Sequence, residues 1–156
     1  MVVLKYLNEE WRNIKGYEGK YQVSNLGRVR SVDRIEYIKG LNRYRKRKGM
    51  ILKPKFCGEY YGVGLSGKNF YIHKLVGMAF PEICGEWFEG CQYDHIDGNR
   101  FNNVATNIRA CTEKENHNNP ITRKRNSEAK KGKTPWNKGL NYTFAERRLL
   151  RINNGG

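Results

Sequence analysis

The sequence predicts an α+β fold of small antiparallel sheets and hairpins joined to short helices, on three observations. Tyr21, Val23, Val29 and Val32 are β-favouring residues on either side of SNLG, where Asn25 and Gly27 can adopt hairpin-turn conformations. Tyr61, Val63 and Leu65 alternate along a later stretch, and SGKN offers a turn into a further strand over Phe70 to Ile72. Leu75, Val76, Met78, Ala79 and Phe80 then recur at helical spacing and stop at Pro81, which predicts the main core helix.

A chain of 156 residues supports one domain, or one compact unit with small attachments, at about 100 to 200 residues per domain. Thirty Lys and Arg stand against fifteen Asp and Glu, a net charge of +15 that favours a polyanionic partner. No apolar run approaches the roughly 20 residues that span a bilayer, so a membrane partner is not expected. The start MVVLKYLNEEW lacks the basic and apolar regions of a signal peptide, and a soluble cytosolic protein is expected. Cys57, Cys84, Cys91 and Cys111 form no CxxC pairs and are read as reduced. A zinc site from Cys84, Cys91, Cys111 and His117 fits no common finger spacing and is set aside.

The segment Glu9 to Arg34 reads as short strands in which Arg28 and Arg30 flank Val29 and make one face basic. That face is either a phosphate contact or an ordinary charged edge. Lys39 to Lys55 holds eight basic residues and no acid, including Arg43, Arg45, Lys46, Arg47 and Lys48. Such a block repels itself and is expected to be a flexible loop or arm that meets a phosphate backbone. His73, at the strand-to-helix junction, lacks an acidic neighbour and is read as a structural histidine or a phosphate contact in preference to a catalytic group. From Pro81 to His95 the charge reverses, with Glu82, Glu86, Glu89 and Asp94 and no Lys or Arg, which suits a hard divalent cation.

The chemistry-bearing cluster opens with QYDH, a strand expected to end at Asp94 and His95. Asp97 and Gly98 make a turn, and Asn99, Asn102, Asn103 and Asn107 can hold a loop by local hydrogen bonds. After the strand NIRAC, Thr112 and Glu115 sit at capping-box spacing and predict a short helix carrying Asn116. A strand-end carboxylate and a helix-borne amide can converge on one oxygen-seeking cation, Mg2+ or Mn2+. Neighbouring strand residues face opposite sides, so Asp94 and His95 serve one phosphate only if the strand ends or bulges there.

The stretch DHIDGNRFNNVATNIRACTEKENHNN resembles the HNH, or ββα-metal, nuclease motif of phage homing endonucleases. EEWRNIKGYEGKYQVSNLGRVRSVDR resembles the modular DNA-binding element that precedes such motifs, and SEAKKGKTPWNKG the short DNA-binding motifs that follow them. The resemblance implies three regions: 1–56, the modular element with the basic loop; 57–119, the ββα-metal core; and 120–156, an extended basic DNA-binding tail. It implies Asp94 as a metal ligand, His95 as the group that activates water, and Asn107 as the brace of the loop that orients the histidine. Asn116 keeps the family spacing for the second metal ligand, and His117, one residue later, is the alternative. Lys130, Lys131, Lys133 and Lys138 would meet phosphates, while Trp136 either wedges against sugars or docks on the core.

The implied activity is site-specific, metal-dependent hydrolysis of double-stranded DNA that leaves 3′-hydroxyl and 5′-phosphate ends. A monomer with one active site would most simply nick one strand, in the cytoplasm of a bacterial or phage-infected cell. The competing readings are a nucleic-acid-binding protein that does not cut and a non-specific nuclease.

Overall fold

The computed structural model describes residues 8–132, in which residues up to Lys124 form one compact unit and those from Arg125 onward belong to a second. Three short strands open the first unit: β1 (Trp11–Asn13), β2 (Tyr21–Ser24) and β3 (Val29–Ser31). A hairpin follows, β4 (Arg34–Ile38) and β5 (Arg43–Arg47), and then β6 (Met50–Ile51) returns to pair with β3. Next come β7 (Lys55–Cys57), β8 (Tyr60–Leu65) and β9 (Lys68–Tyr71), followed by helices α1 (Ile72–Ala79) and α2 (Pro81–Cys84). The chain then forms β10 (Gln92–His95), β11 (Ile108–Cys111), α3 (Glu113–His117) and α4 (Pro120–Lys130).

Every strand pair is antiparallel, in sheets ordered β1-β2-β3-β6, β4-β5, β7-β8-β9 and β10-β11. None of these sheets can bury a face alone; the first sheet, β7-β8-β9 and β10-β11 share one core, to which β4-β5 contributes no residue. Val23 and Val29 from the first sheet join Val63 and Leu65 of β8, Leu75 and Val76 of α1, Phe80, Cys84 and Ile108 in a single apolar cluster. Helix α1 is thus the central core helix that its apolar spacing predicts. Its Gly77 lies against the ring of Tyr93 on β10, where a Cβ would come within 2.3 Å of a ring carbon, so only glycine admits this close approach. Arg12 fastens the first sheet to the helices: its Nη1 donates to the Ala79 carbonyl (2.9 Å) and to Glu82 (3.0 Å), with the guanidinium 4.4 Å over Phe80.

Two expectations are corrected. The basic block is not a loose arm, because β5 pairs with β4 along its whole length. Its stabilising partners come from the preceding segment: Glu36 pairs with Arg34 and Arg47, and Tyr37 packs on Tyr44 with ring centroids 5.1 Å apart. Asn42 makes the reversal in the left-handed region at φ 47°. The described start of the region after Asn119 does not run extended either, since Pro120–Lys130 is helical. Pro120 occupies the first helical position, and the Asn119 side chain accepts from the Ile121 backbone N–H (3.0 Å), which is an N-cap. Residues 133–156, with Lys133, Trp136 and Lys138, lie outside the described residues. Among the described residues, no helix is long and apolar enough to cross a membrane.

Candidate active site

The β10-β11 hairpin carries the site. Asp94 lies opposite Arg109 and His95 opposite Ile108, and β10 ends at His95 as its sequence predicts. Pairing continues just beyond through Ile96 N–H to the Asn107 carbonyl (2.9 Å), and the chain then turns, with Gly98 N–H donating to the His95 carbonyl (2.9 Å). The two side chains diverge, as strand neighbours must, and share no hydrogen-bond partner.

Asp94 Oδ2 accepts from Arg109 Nη2 (3.0 Å) and Nε (3.3 Å) and from Asn119 Nδ2 (2.9 Å). Its Oδ1 has no hydrogen-bond partner among the described residues, so the carboxylate is gripped by one oxygen with the other left available. Asn119 was not singled out by the sequence. Its one signal was an asparagine directly before Pro120, the pattern of a capped helix start. Because its carbonyl oxygen is committed to the cap and its amide nitrogen to Asp94, Asn119 serves as a brace.

His95 points to the other side and is 3 % exposed. Its Nε2 lies 3.1 Å from Asn103 Oδ1, and the Asn103 amide is oriented by its Nδ2 donating to the Phe101 carbonyl (3.3 Å). The network therefore assigns the proton to Nε2 and the basic lone pair to Nδ1. The ring stacks on Tyr60 (centroids 6.1 Å, 22°) and meets His73 edge-on (5.1 Å). His73 is buried with its Nδ1 unpartnered, and burial, followed by the neighbouring His95 and Lys74, lowers its pKa to about 3. It is a neutral packing partner of His95 near neutral pH.

Asp97 is the hub of the connecting loop. Its Oδ1 accepts from Asn99 N–H (2.7 Å) and Asn107 Nδ2 (2.9 Å), and its Oδ2 from Asn102 Nδ2 (2.8 Å). Desolvation pushes this carboxyl up, but the bonds from Asn102, Asn99 and Asn107 outweigh it and its pKa is lowered. Asn107 adds Oδ1 as acceptor for Asp97 N–H (3.1 Å) and donates to the Asn102 carbonyl (2.8 Å), so it ties both ends of the loop together.

Helix α3 starts at the capping box its sequence predicts, with Thr112 and Glu115 bonded reciprocally. Asn116 Nδ2 donates to Gln92 Oε1 (2.8 Å), two residues before Asp94 and on the same strand face. His117 turns back on its own helix, Nδ1 to the Glu113 carbonyl at 2.9 Å. Among the described residues no cluster of three or more His, Cys, Asp or Glu could hold a metal. A site here would use one carboxylate and amide oxygens, a donor set that fits a hard cation and does not fit zinc.

The basic residues divide into two groups. Arg28 and Arg30 lie over the Trp11 ring (5.7 and 4.2 Å), with Arg28 paired to Glu9 and Arg30 Nε and Nη2 donating to Gln22 (2.9 and 2.7 Å). Arg43, Arg45, Lys46 and Lys48 are exposed and have no charged partner among the described residues, whereas Arg47 is held by Glu36. Lys130 and Lys131 are exposed at the end of α4.

Hairpin, braced loop and capped helix follow one another as in a ββα nuclease module, and known proteins match the chain on the same ground. A model of the NUMOD4 motif matches residues 9–66, and a model of HNH endonucleases matches residues 71–118. The DNA endonuclease I-HmuI of Bacillus phage SP01 is 40% identical over 119 residues, covering 73% of this chain and 59% of that protein. An uncharacterized HNH endonuclease of Acanthamoeba polyphaga mimivirus is 27% identical over 117 residues, 72% of this chain and 30% of that protein. A solved structure of DNA binding and cleavage by the HNH homing endonuclease I-HmuI superposes with a TM-score of 0.51 at 32% identity, covering 93% of this chain and 68% of that one. The chain belongs to the phage-type HNH homing endonucleases.

Proposed function

We propose that the chain is a site-specific, metal-dependent DNA endonuclease that hydrolyses phosphodiester bonds to leave 3′-hydroxyl and 5′-phosphate ends. The observation that carries this reading is the His95–Asn103 bond, which fixes the imidazole as the Nε2–H tautomer and leaves Nδ1 free to accept a proton from water. His95 is the general base in this scheme. Asn107 and Asp97 keep rigid the loop that presents Asn103.

Asp94, through the unpartnered Oδ1, and Asn116, through its amide oxygen, would hold one Mg2+ or Mn2+. When bound, that ion would offset negative charge at the phosphate and the departing 3′ oxygen. The donor Asn119 and the cation Arg109 orient Asp94 from its other oxygen. Gln92 steers the Asn116 amide so that its nitrogen is occupied, while its oxygen has no partner among the described residues. His117, bonded to its own helix, is the less suited ligand.

Double-stranded DNA is the proposed substrate. The net charge of +15, the exposed cations of β5 and the relative I-HmuI, named for DNA binding and cleavage, support it. The proposal extends to a monomer with a modular element at 1–56, a catalytic region at 57–119 and a DNA-contacting region at 120–156 that includes Lys133, Trp136 and Lys138. Such a monomer would nick one strand, in the cytoplasm of a bacterial or phage-infected cell.

The test is incubation of the purified chain with long duplex DNA containing its candidate insertion locus, with Mg2+, with Mn2+ or with EDTA. Cleavage at one mapped position in either metal, and none in EDTA, is the expected result. Tight binding with intact DNA in every buffer would establish the non-cutting alternative. Scattered cleavage on random and locus DNA alike would establish a non-specific nuclease.

A further inference from the structure

We propose that Gly27, in the turn between β2 and β3, is a positioning residue for His95 that acts through Asn103, so that the N-terminal sheet sets the orientation of the histidine. This rests on the endonuclease reading. The contact is direct: a Cβ at Gly27 would lie 2.7 Å from the Asn103 carbonyl oxygen, 2.8 Å from its Cβ and 2.9 Å from its carbonyl carbon. Backbone atoms are involved, so no side-chain rotation relieves the clash, and the left-handed backbone at φ +76° adds its own cost. One side must move.

The turn is the more heavily bonded side of this contact. Asn25 is 5 % exposed; its Oδ1 accepts from Glu10 N–H (2.9 Å), its Nδ2 donates to the Asn8 carbonyl (3.1 Å), and its backbone N–H donates to the Glu10 carbonyl (3.1 Å). Ser24 is fully buried and bonds Arg28 N–H through Oγ (3.1 Å). The Asn25 carbonyl also accepts from Ala105 N–H (2.8 Å), so the turn holds the loop at residue 105 while Gly27 abuts it at residue 103. Displacement therefore falls on Asn103, whose Oδ1 is the hydrogen-bond partner of the His95 ring among the described residues. The element that flanks the basic Arg28 and Arg30 is thereby in register, through one amide, with the imidazole.

The experiment combines kinetics with histidine NMR on wild type, Gly27→Ala, Asn103→Ala and the double variant. Gly16→Ala is the control, because Gly16 has the same backbone region (φ +79°) with nothing within 4 Å of an added Cβ. Gly27→Ala is expected to lower kcat by about 10- to 100-fold with KM changed by no more than about 2-fold, the signature of a group that acts on the transition state. The double variant should be no slower than Asn103→Ala alone. The 15N signals of His95, assigned against His95→Gln, should show the Nε2–H tautomer in wild type and a tautomer mixture in Gly27→Ala and Asn103→Ala. An unchanged tautomer in both variants, an equal loss in Gly16→Ala, or fully additive losses would overturn the proposal. If Gly27→Ala does not fold, the tautomer in Asn103→Ala decides. A wild type that does not cut while Gly27→Ala still shifts the tautomer would sink the endonuclease reading and leave the coupling standing.

Discussion

At Asp94 the two carboxylate oxygens differ: among the described residues Oδ2 takes three donors and Oδ1 none. The asparagines divide similarly. Asn116 has an amide oxygen with no hydrogen-bond partner among the described residues, whereas Asn119 spends its oxygen on a helix cap. Asn116→Ala should therefore raise the Mg2+ concentration needed for half-maximal cleavage, and Asn119→Ala should chiefly cost stability, about 1 kcal/mol for a lost cap. Metal titration and thermal melts on the two variants separate these roles; a larger metal effect in Asn119→Ala would reverse them. His73 supplies a pH dependence. Its folded pKa of about 3 lies below its ordinary 6.5, so between those values the unfolded chain binds the proton and the native one does not. Stability should fall as pH drops from about 6.5 toward 3, by up to roughly 1.4 kcal/mol per unit, and His73→Phe should flatten that slope in denaturant titrations at pH 6, 5 and 4. The positions of Asp94 and His95 at a strand end, Asn107 in the loop and Asn116 on a short helix were legible because their spacing is a motif, and their proposed roles rest on that motif. Asn103 and Asn119 were not, since both matter through contacts that only the folded loop and the start of α4 create.

The elements were legible where local pattern and pairing agree. The SNLG hairpin, the α1 stripe, the QYDH and NIRAC strands and the Thr112–Glu115 cap all form where their residues direct. The β4-β5 hairpin was misread, because the block Lys39 to Lys55 contains the repulsion while its relief, Glu36 and Tyr37, lies upstream. This hairpin and the residue after it present Arg43, Arg45, Lys46 and Lys48 with no charged partner among the described residues, the arrangement that neutralises phosphates. Replacing these four with Gln should weaken DNA binding and reduce the slope of log affinity against log salt by about 3 to 4, at roughly 0.9 per phosphate contact. Filter binding at 50 to 200 mM salt measures it, and an unchanged slope would remove β5 from the interface. Helix α4 was missed for a related reason: its polar composition hides a start set by Asn119 and Pro120.

For the molecule as a whole, one apolar cluster includes residues on both sides of position 56. Phe80, fully buried beneath the Arg12 guanidinium, joins the two sides. Phe80→Ala should cost about 3 to 5 kcal/mol and lower the unfolding midpoint of the first sheet and of the β10-β11 hairpin together, as read by hydrogen exchange at amides in each. Composition could announce a polyanionic partner but not this shared core, because the apolar residues that build it are scattered singly through polar segments. The same continuity lets the sheet bearing Arg28 and Arg30 and the loop bearing Asn103 act as one body. The central claim, that His95 performs the chemistry while the basic surface performs the binding, meets its most direct measurement in His95→Ala, compared with wild type for binding and for cleavage of locus DNA in Mg2+ or Mn2+. The account predicts unchanged affinity and cleavage reduced by about 100-fold or more, and cleavage by His95→Ala at the wild-type rate would contradict it.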